Sequence, residues 1–225
     1  MSTRLFLVRH CESIWNAERR VQGQADAPLS TRGMQQASAL AGALRTRRLA
    51  AVYCSPLARA HETAAHISAP HGLSPCVEDA LRELNLGAWQ GQTSAALHTD
   101  TSLYRTWHTN PMTVRPPSGE TLREALTRVG PAVEAVVARH ACATVVLATH
   151  SIVGRVLLCH LLGTGLELVP RLRLKKASIS VVRLEDGRAV LERLGDISHL
   201  GTLRTPSAEE RTRCAEALSG VEAVP

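Results

Sequence analysis

"LFLVRHCESIWN", residues 5–16, runs through four apolar residues and then, with no turn residue between, sets an arginine, a histidine and a cysteine side by side. An unbroken apolar run of this length suits a strand buried on both faces, the kind found in parallel sheets. Such a strand ending in Arg9 and His10 delivers two ionisable side chains to one rim of the sheet. The rest of the chain decides what meets them there.

Working outward, similar runs at 50–54, 81–84 and 144–149 predict three more buried strands, with helical patterns between them. After Ser30, a good N-cap, Met34, Ala37, Ala41 and Leu44 step by three and four along one apolar helix face. "YCSPLARAHETAAHI" repeats the strand-to-helix design: Ser55 is placed to cap, Pro56 suits a first turn, and Leu57, Ala60, Ala64 and Ile67 form the inner stripe. Arg59 then falls in that first turn. Beyond Glu120, Leu122, Leu126, Val129, Val133 and Val136 predict a long core helix kinked at Gly130-Pro131. It leads into the strand that ends at His150, and "SIVGRVLLCHLLG" predicts a further helix closed by Gly163. "SISVVRLEDGRAVLERL" alternates about Asp186-Gly187, a hairpin signal. The fold expected is α/β: a three-layer α/β/α domain over residues 1–204, with a mostly parallel sheet and an antiparallel C-terminal hairpin. Residues 87–119, which hold Pro111, Pro116 and Pro117, are expected to form a loop-rich insertion over the sheet, and 205–225 a peripheral tail.

At 225 residues the chain is long enough for a well-filled core. Its net charge of +6 is spread thinly: Lys175 and Lys176 are the only lysines among 26 basic residues, and aromatic content is 3%. Scattered charge with few rings to stack bases argues against nucleic acid and modestly favours small anionic substrates. Six cysteines without a C-x-x-C pair read as reduced thiols, and the four apolar residues before Arg9 are too few for a signal peptide. A cytoplasmic protein follows, with no membrane partner; a homodimer is compatible with this reading. The sequence has no G-x-x-x-x-G-K-[ST], G-x-G-x-x-G or G-x-S-x-G motif, and no acidic cluster suited to a metal. Neither a cofactor nor a metal is therefore expected.

In open α/β sheets ligands bind beyond the carboxyl ends of the strands. Arg9 and His10 end the first expected strand, Arg59 follows the second, Glu83 lies on the third and His150 ends the fourth. Singly, each reads as an ordinary surface or satisfied residue; their shared position distinguishes them. His61 and His66, five apart on one helix, face different directions and are left structural. The five suit phosphate. Arginine forks match phosphate oxygens in pairs, a helix N-terminus adds donors, and histidine serves as nucleophile when neutral or as an oxygen clamp when charged.

"RHCESIWN" resembles the opening motif, Arg-His-Gly-Glu-Ser/Thr-x-x-Asn, of the histidine phosphatase superfamily, also called phosphoglycerate mutase-like. "QGQADAPLSTRGMQQA", "CSPLARAHETA", "LRELNLGAWQG" and "ATHS" match in family order over about the first 160 residues. The resemblance implies that His10 is the nucleophile that becomes phosphorylated, and that Arg9, Arg59 and His150 hold the phosphoryl oxygens. It also implies that Asn16, Gln22, Gly23 and Ser151 line the pocket, and that Glu83 is the proton donor. The activity implied is hydrolysis of a small-molecule phosphomonoester without a metal. The alternatives are a 2,3-bisphosphoglycerate-dependent phosphoglycerate mutase and a phosphate-binding regulatory protein with little turnover. "YRTWHTNPMTVRPPSGET" keeps Trp107 and Pro116-Pro117 but lacks the arginine pair of the mutase branch. Cys11 stands where the family usually has glycine: a small buried filler on the simpler reading, a reactive thiol on the other.

Overall fold

The structure, a computed structural model, describes residues 2–204; the tail expected at 205–225 lies outside the described residues. In chain order the elements are β1 (Thr3–Arg9), α1 (Ile14–Ala17), α2 (Thr31–Leu44), β2 (Ala51–Cys54), α3 (Ala58–Ser68) and β3 (Cys76–Val77). They continue with α4 (Ser94–Asp100), α5 (Ser102–Thr109), α6 (Leu122–Arg139), β4 (Thr144–Thr149), α7 (Ser151–Leu161), β5 (Ile179–Glu185) and β6 (Arg188–Asp196). The sheet order is β3-β2-β4-β1-β5-β6. Its first four strands run parallel, while β5 and β6 pair antiparallel.

β1 and β4 lie at the centre, covered on both faces, which is why their apolar runs are continuous rather than alternating. Leu5, Leu7, Val145 and Leu147 face one core with α6, α7 and the insertion. Phe6, Val8, Val146 and Ala148 face a second core with α2 and α3. The result is the expected three-layer α/β/α arrangement. Asp186 (φ +50) and Gly187 (φ +73) both take the left-handed conformation between β5 and β6, as a two-residue primed hairpin turn requires. Among the described residues no helix is long and apolar enough to cross a membrane.

Four local expectations are corrected. Residues 81–84 are not a strand: Leu81 and Leu84 are fully buried, Leu81 at the end of a 3-10 turn, so their apolarity reports core contact and not sheet pairing. The third strand is the short β3 instead. Met34 is 44% exposed on the outer face of α2, whose inner stripe is Gly33, Gln36, Ala37, Leu40, Ala41 and Leu44. The insertion is not loop-rich, since Thr93 and Thr101 cap α4 and α5, which bury Leu97, Tyr104 and Trp107. The expected long core helix is α6, which runs through Pro131 from a Thr121–Glu124 capping box to Arg139. Finally, Ser55 does not cap α3. Leu57 is the N-cap residue and offers no side-chain bond; Asp26 Oδ1 accepts the Ala58 N–H at 2.8 Å in its place.

Candidate active site

β1 hands His10 to the rim, where the backbone is clamped on both sides. Its N–H donates to the Thr149 carbonyl at 2.9 Å, and its own carbonyl accepts from Ala177 N–H at 3.2 Å. The ring lies 2.7 Å from the Cys11 carbonyl through Nδ1. A carbonyl only accepts, so Nδ1 carries the proton and a neutral ring keeps its lone pair on Nε2. Burial, then the charges of Arg59 and Arg9, hold the imidazole well below its ordinary pKa. His10 is thus a neutral, oriented base with one free nitrogen.

The residues after His10 explain why the motif has its composition. Cys11 N–H donates to Thr63 Oγ1 at 3.1 Å, and Thr63 donates to the Arg59 carbonyl at 2.7 Å, tying β1 to α3. Glu12 pairs with Lys176 at 2.8 Å and accepts from Ser30, while its N–H donates to Gln36 Oε1. Gly33 is required because a Cβ there would stand 1.9 Å from the Glu12 carbonyl oxygen. The Cys11 side chain is fully buried among apolar neighbours, and burial pushes its thiol up to about 12. It is a filler, and the reactive-thiol reading is overturned.

Around His10 stand the other expected residues. The His150 ring centroid is 5.1 Å away, fully buried as the N-cap of α7, with Nε2 2.8 Å from Ser55 Oγ and Nδ1 without a protein partner. Ser55 Oγ therefore links His150 to the N-cap residue of α3, since it also accepts the Leu57 N–H at 3.3 Å. Burial, then Arg59, His10 and Arg9, lower the His150 pKa well below its ordinary value. Arg59, 1% exposed, donates to the carbonyls of Gly23 (2.7 Å) and Ala25 (3.0 Å); Arg9 donates to the Leu174 carbonyl at 2.6 Å. Burial lowers both guanidiniums to about 10, against the pull of Glu83, and in each Nε is buried without a partner. Glu83 sits over the start of α7, Oε1 accepting from the N–H groups of Leu84, Ile152 and Val153 and Oε2 from that of Ile152. Arg128 and Gln24 both donate to its backbone carbonyl at 3.0 Å. Its position is fixed by a helix N-terminus and not by a strand, as expected earlier.

A sequence profile of the histidine phosphatase superfamily (branch 1) matches residues 5–197. The chain belongs to that superfamily. It is 36% identical over 199 residues to phosphoserine phosphatase 1 of Hydrogenobacter thermophilus, covering 88% of this chain and 94% of that one. It is 33% identical over 202 residues to the probable phosphoglycerate mutase GpmB of Yersinia pestis, covering 87% and 94%. Bacillus stearothermophilus YhfR has the same fold with a TM-score of 0.83 and 32% identity, over 88% of this chain and 99% of that one.

In this histidine phosphatase the cleft over His10 measures about 210 Å³ and is lined by Arg9, His10, Arg59 and Glu83, with Asn16, Gln22, Gly23 and Ser151 also on its wall. His150 lies behind this wall. All the residues expected from the sequence are thus brought together, and metal-ligating clusters of three or more His, Cys, Asp or Glu are absent among the described residues. Sequence reasoning missed Arg20, Tyr104, Trp107, His108 and Arg155, which share the wall. For Arg155 a signal existed: it follows Ser151 by four positions, on the same face of a helix that starts at the site. The insertion residues carried no comparable signal.

Proposed function

We propose that this chain is a phosphomonoester hydrolase working through a phosphohistidine on His10. The observation that carries this reading is the His10 ring, whose Nδ1–H is engaged by the Cys11 carbonyl while three buried polar groups beside it, Arg9 Nε, Arg59 Nε and His150 Nδ1, have no protein partner. The two guanidinium Nε–H groups are buried donors that seek acceptors, as is His150 Nδ1 when Nε2 accepts from Ser55, and a phosphoryl group offers three strong acceptors. In the first step His10 Nε2 forms the N–P bond as the ester O–P bond breaks, and Glu83 gives a proton to the leaving oxygen. In the second, Glu83 takes a proton from water as its oxygen bonds phosphorus and the N–P bond breaks. Arg9, Arg59 and His150 hold the phosphoryl oxygens, where charge is spread in the transition state. Asn16, Gln22, Gly23 and Ser151 shape the same pocket. The reading takes a small-molecule phosphomonoester as substrate and the cytoplasm as the place of action, with no metal, nucleic acid or membrane required.

Labelled substrate, quenched in base because phosphohistidine is acid-labile, followed by peptide mapping, tests the assignment. Label on His10, with phosphate released from p-nitrophenyl phosphate in the presence of EDTA, is expected. Label on His150 or another residue overturns the nucleophile, and no phosphate release from any of a broad panel of monoesters favours the binding protein.

A further inference from the structure

The cleft does not end at the phosphoryl pocket. A second chamber of about 230 Å³ adjoins it, and the two share Trp107, His108, Ile152 and Arg155 as common wall. Leu122, Val169 and Leu172 give the second chamber apolar sides, Arg173 stands on it, and no carboxylate lines it. Arg155 is held at the junction by two backbone bonds, Nε to the Ser151 carbonyl at 3.0 Å and Nη1 to the Val169 carbonyl at 3.1 Å. Those bonds use the Nε donor and one Nη1 donor and leave both Nη2 donors for something else. Burial lowers the Arg155 pKa, and Glu83 across the cleft raises it again.

The charges point to what that something is. Five arginines line the two chambers, Arg9, Arg20, Arg59, Arg155 and Arg173; Arg20 is paired with Glu18, and the other four face a single carboxylate, Glu83. A phosphoryl dianion at His10 leaves positive charge over whether Glu83 is ionised or carries the proton it donates, and Arg155 and Arg173 set that charge in the second chamber.

Resting on the phosphatase reading, we propose that Arg155 is a specificity-determining residue which binds a carboxylate on the leaving group. The substrate class is then phosphomonoesters of hydroxylated carboxylic acids with a largely apolar body. The body lies against Leu122, Val169 and Leu172, while the acid reaches Arg155 with Arg173 beside it. An uncharged apolar alcohol fits the walls but leaves both arginines without an anion. An ammonium group would meet them as a like charge.

Two esters of matched shape, 4-carboxyphenyl phosphate and 4-methylphenyl phosphate, test this directly by comparing kcat/KM. A charge-assisted hydrogen bond of ordinary strength predicts a preference for the carboxylated ester of roughly 10- to 100-fold. Arg155→Gln should bring the ratio close to one and Arg155→Lys should recover part of it. Arg173→Glu, at an exposed position that does not tie α7 to Val169, should lower the ratio even where Arg155→Gln fails to fold. A native enzyme that hydrolyses both esters equally, or a ratio unmoved by Arg155→Gln or by Arg173→Glu, overturns the inference and leaves the phosphatase reading standing. No turnover of either ester or of p-nitrophenyl phosphate overturns both.

Discussion

At His10 burial and two guanidiniums act in one direction, each disfavouring a second proton on the ring. As the proposed nucleophile, His10 therefore keeps its lone pair below pH 6.5, and any acid limb of kcat/KM that belongs to it falls on the acid side of that value. Stability has the matching sign. Below the unfolded value the unfolded chain binds a proton that the fold refuses, so stability is full above pH 6.5 and declines as pH falls toward the folded value. His150 acts the same way, and His108 and His199 follow less completely. Each contributes a slope of up to about 1.4 kcal/mol per pH unit. Urea melts between about pH 7 and about pH 5.5 should show this decline, and His10→Asn should reduce it by the share His10 contributes; an identical slope in the variant contradicts the neutral ring. Glu83 is distinguished by its leaving groups. An alkoxide needs protonation as it departs and nitrophenolate hardly does, so Glu83→Gln should slow enzyme phosphorylation by alkyl phosphates roughly 10²–10⁴-fold and by p-nitrophenyl phosphate far less. Equal losses in single-turnover measurements would assign Glu83 to the water step or to positioning. At Cys11 the thiol raised to about 12 predicts no labelling by a disulfide reagent in the native state, while exposed Cys76 and Cys142 react. Rapid modification of Cys11 in mapped peptides would contradict that.

Helix α2 shows how an element far from the chemistry sets it. Its N-terminal turn must approach the His10 loop closely enough for Gln36 to accept the Glu12 N–H, which forbids a side chain at Gly33. Gly42 lies on the same helix with nothing within 4 Å of an added Cβ. Alanine at Gly33 should therefore cost upwards of about 2 kcal/mol and reduce turnover by shifting the loop. Alanine at Gly42 should stabilise by about 0.5–1 kcal/mol through helix propensity and lost chain entropy. Chemical denaturation of the two variants checks this, and similar effects at both sites would disprove close approach as the cause. The elements differ in how plainly the sequence announces them. β1, β4 and the β5–β6 hairpin are legible because a doubly covered strand needs an unbroken apolar run and a primed turn needs residues such as Asp186-Gly187. The run at 81–84 misleads because burial against a core and pairing in a sheet leave the same apolar trace. α4 and α5 escape detection because they are short and mix polar residues such as His98 and Arg105 into their turns. The five residues about His10 are legible through strand ends and family motifs, whereas Arg155, Trp107 and His108 depend on how the insertion lies across the cleft, which no local period encodes.

For the molecule as a whole, the open question is which acceptor receives the phosphoryl group from His10. A mutase must hold a bound acid against the phosphoenzyme and keep water away; a hydrolase must admit water. The constellation of His10, Glu83, Arg9, Arg59 and His150 serves either outcome, so the discriminating part is the cover. Here α4 and α5 form it, anchored by Trp89, Tyr104 and Trp107 packed edge to face. On α5 only Trp107 and His108 reach both chambers, and by the resemblance drawn from the sequence the mutase branch carries an arginine pair directly after this tryptophan, where this chain has His108 and Thr109. Without that pair α4 and α5 add no arginine to the cleft, whose cations are Arg9 on β1, Arg20 after α1, Arg59 on α3, Arg155 on α7 and Arg173 before β5. On the proposed mechanism, retention is then expected to be weaker than release, with water reaching the phosphohistidine first. We therefore expect phosphate release to be the main fate of the phosphoenzyme, with no need of 2,3-bisphosphoglycerate. Phosphorus NMR of the enzyme with 3-phosphoglycerate, with and without a catalytic amount of the bisphosphate, separates the outcomes. Inorganic phosphate should accumulate faster than 2-phosphoglycerate and at a rate the bisphosphate does not raise. Interconversion that outpaces release and depends on priming would make the chain a mutase, with its cover closing more tightly in the phosphoenzyme than its sequence and packing predict.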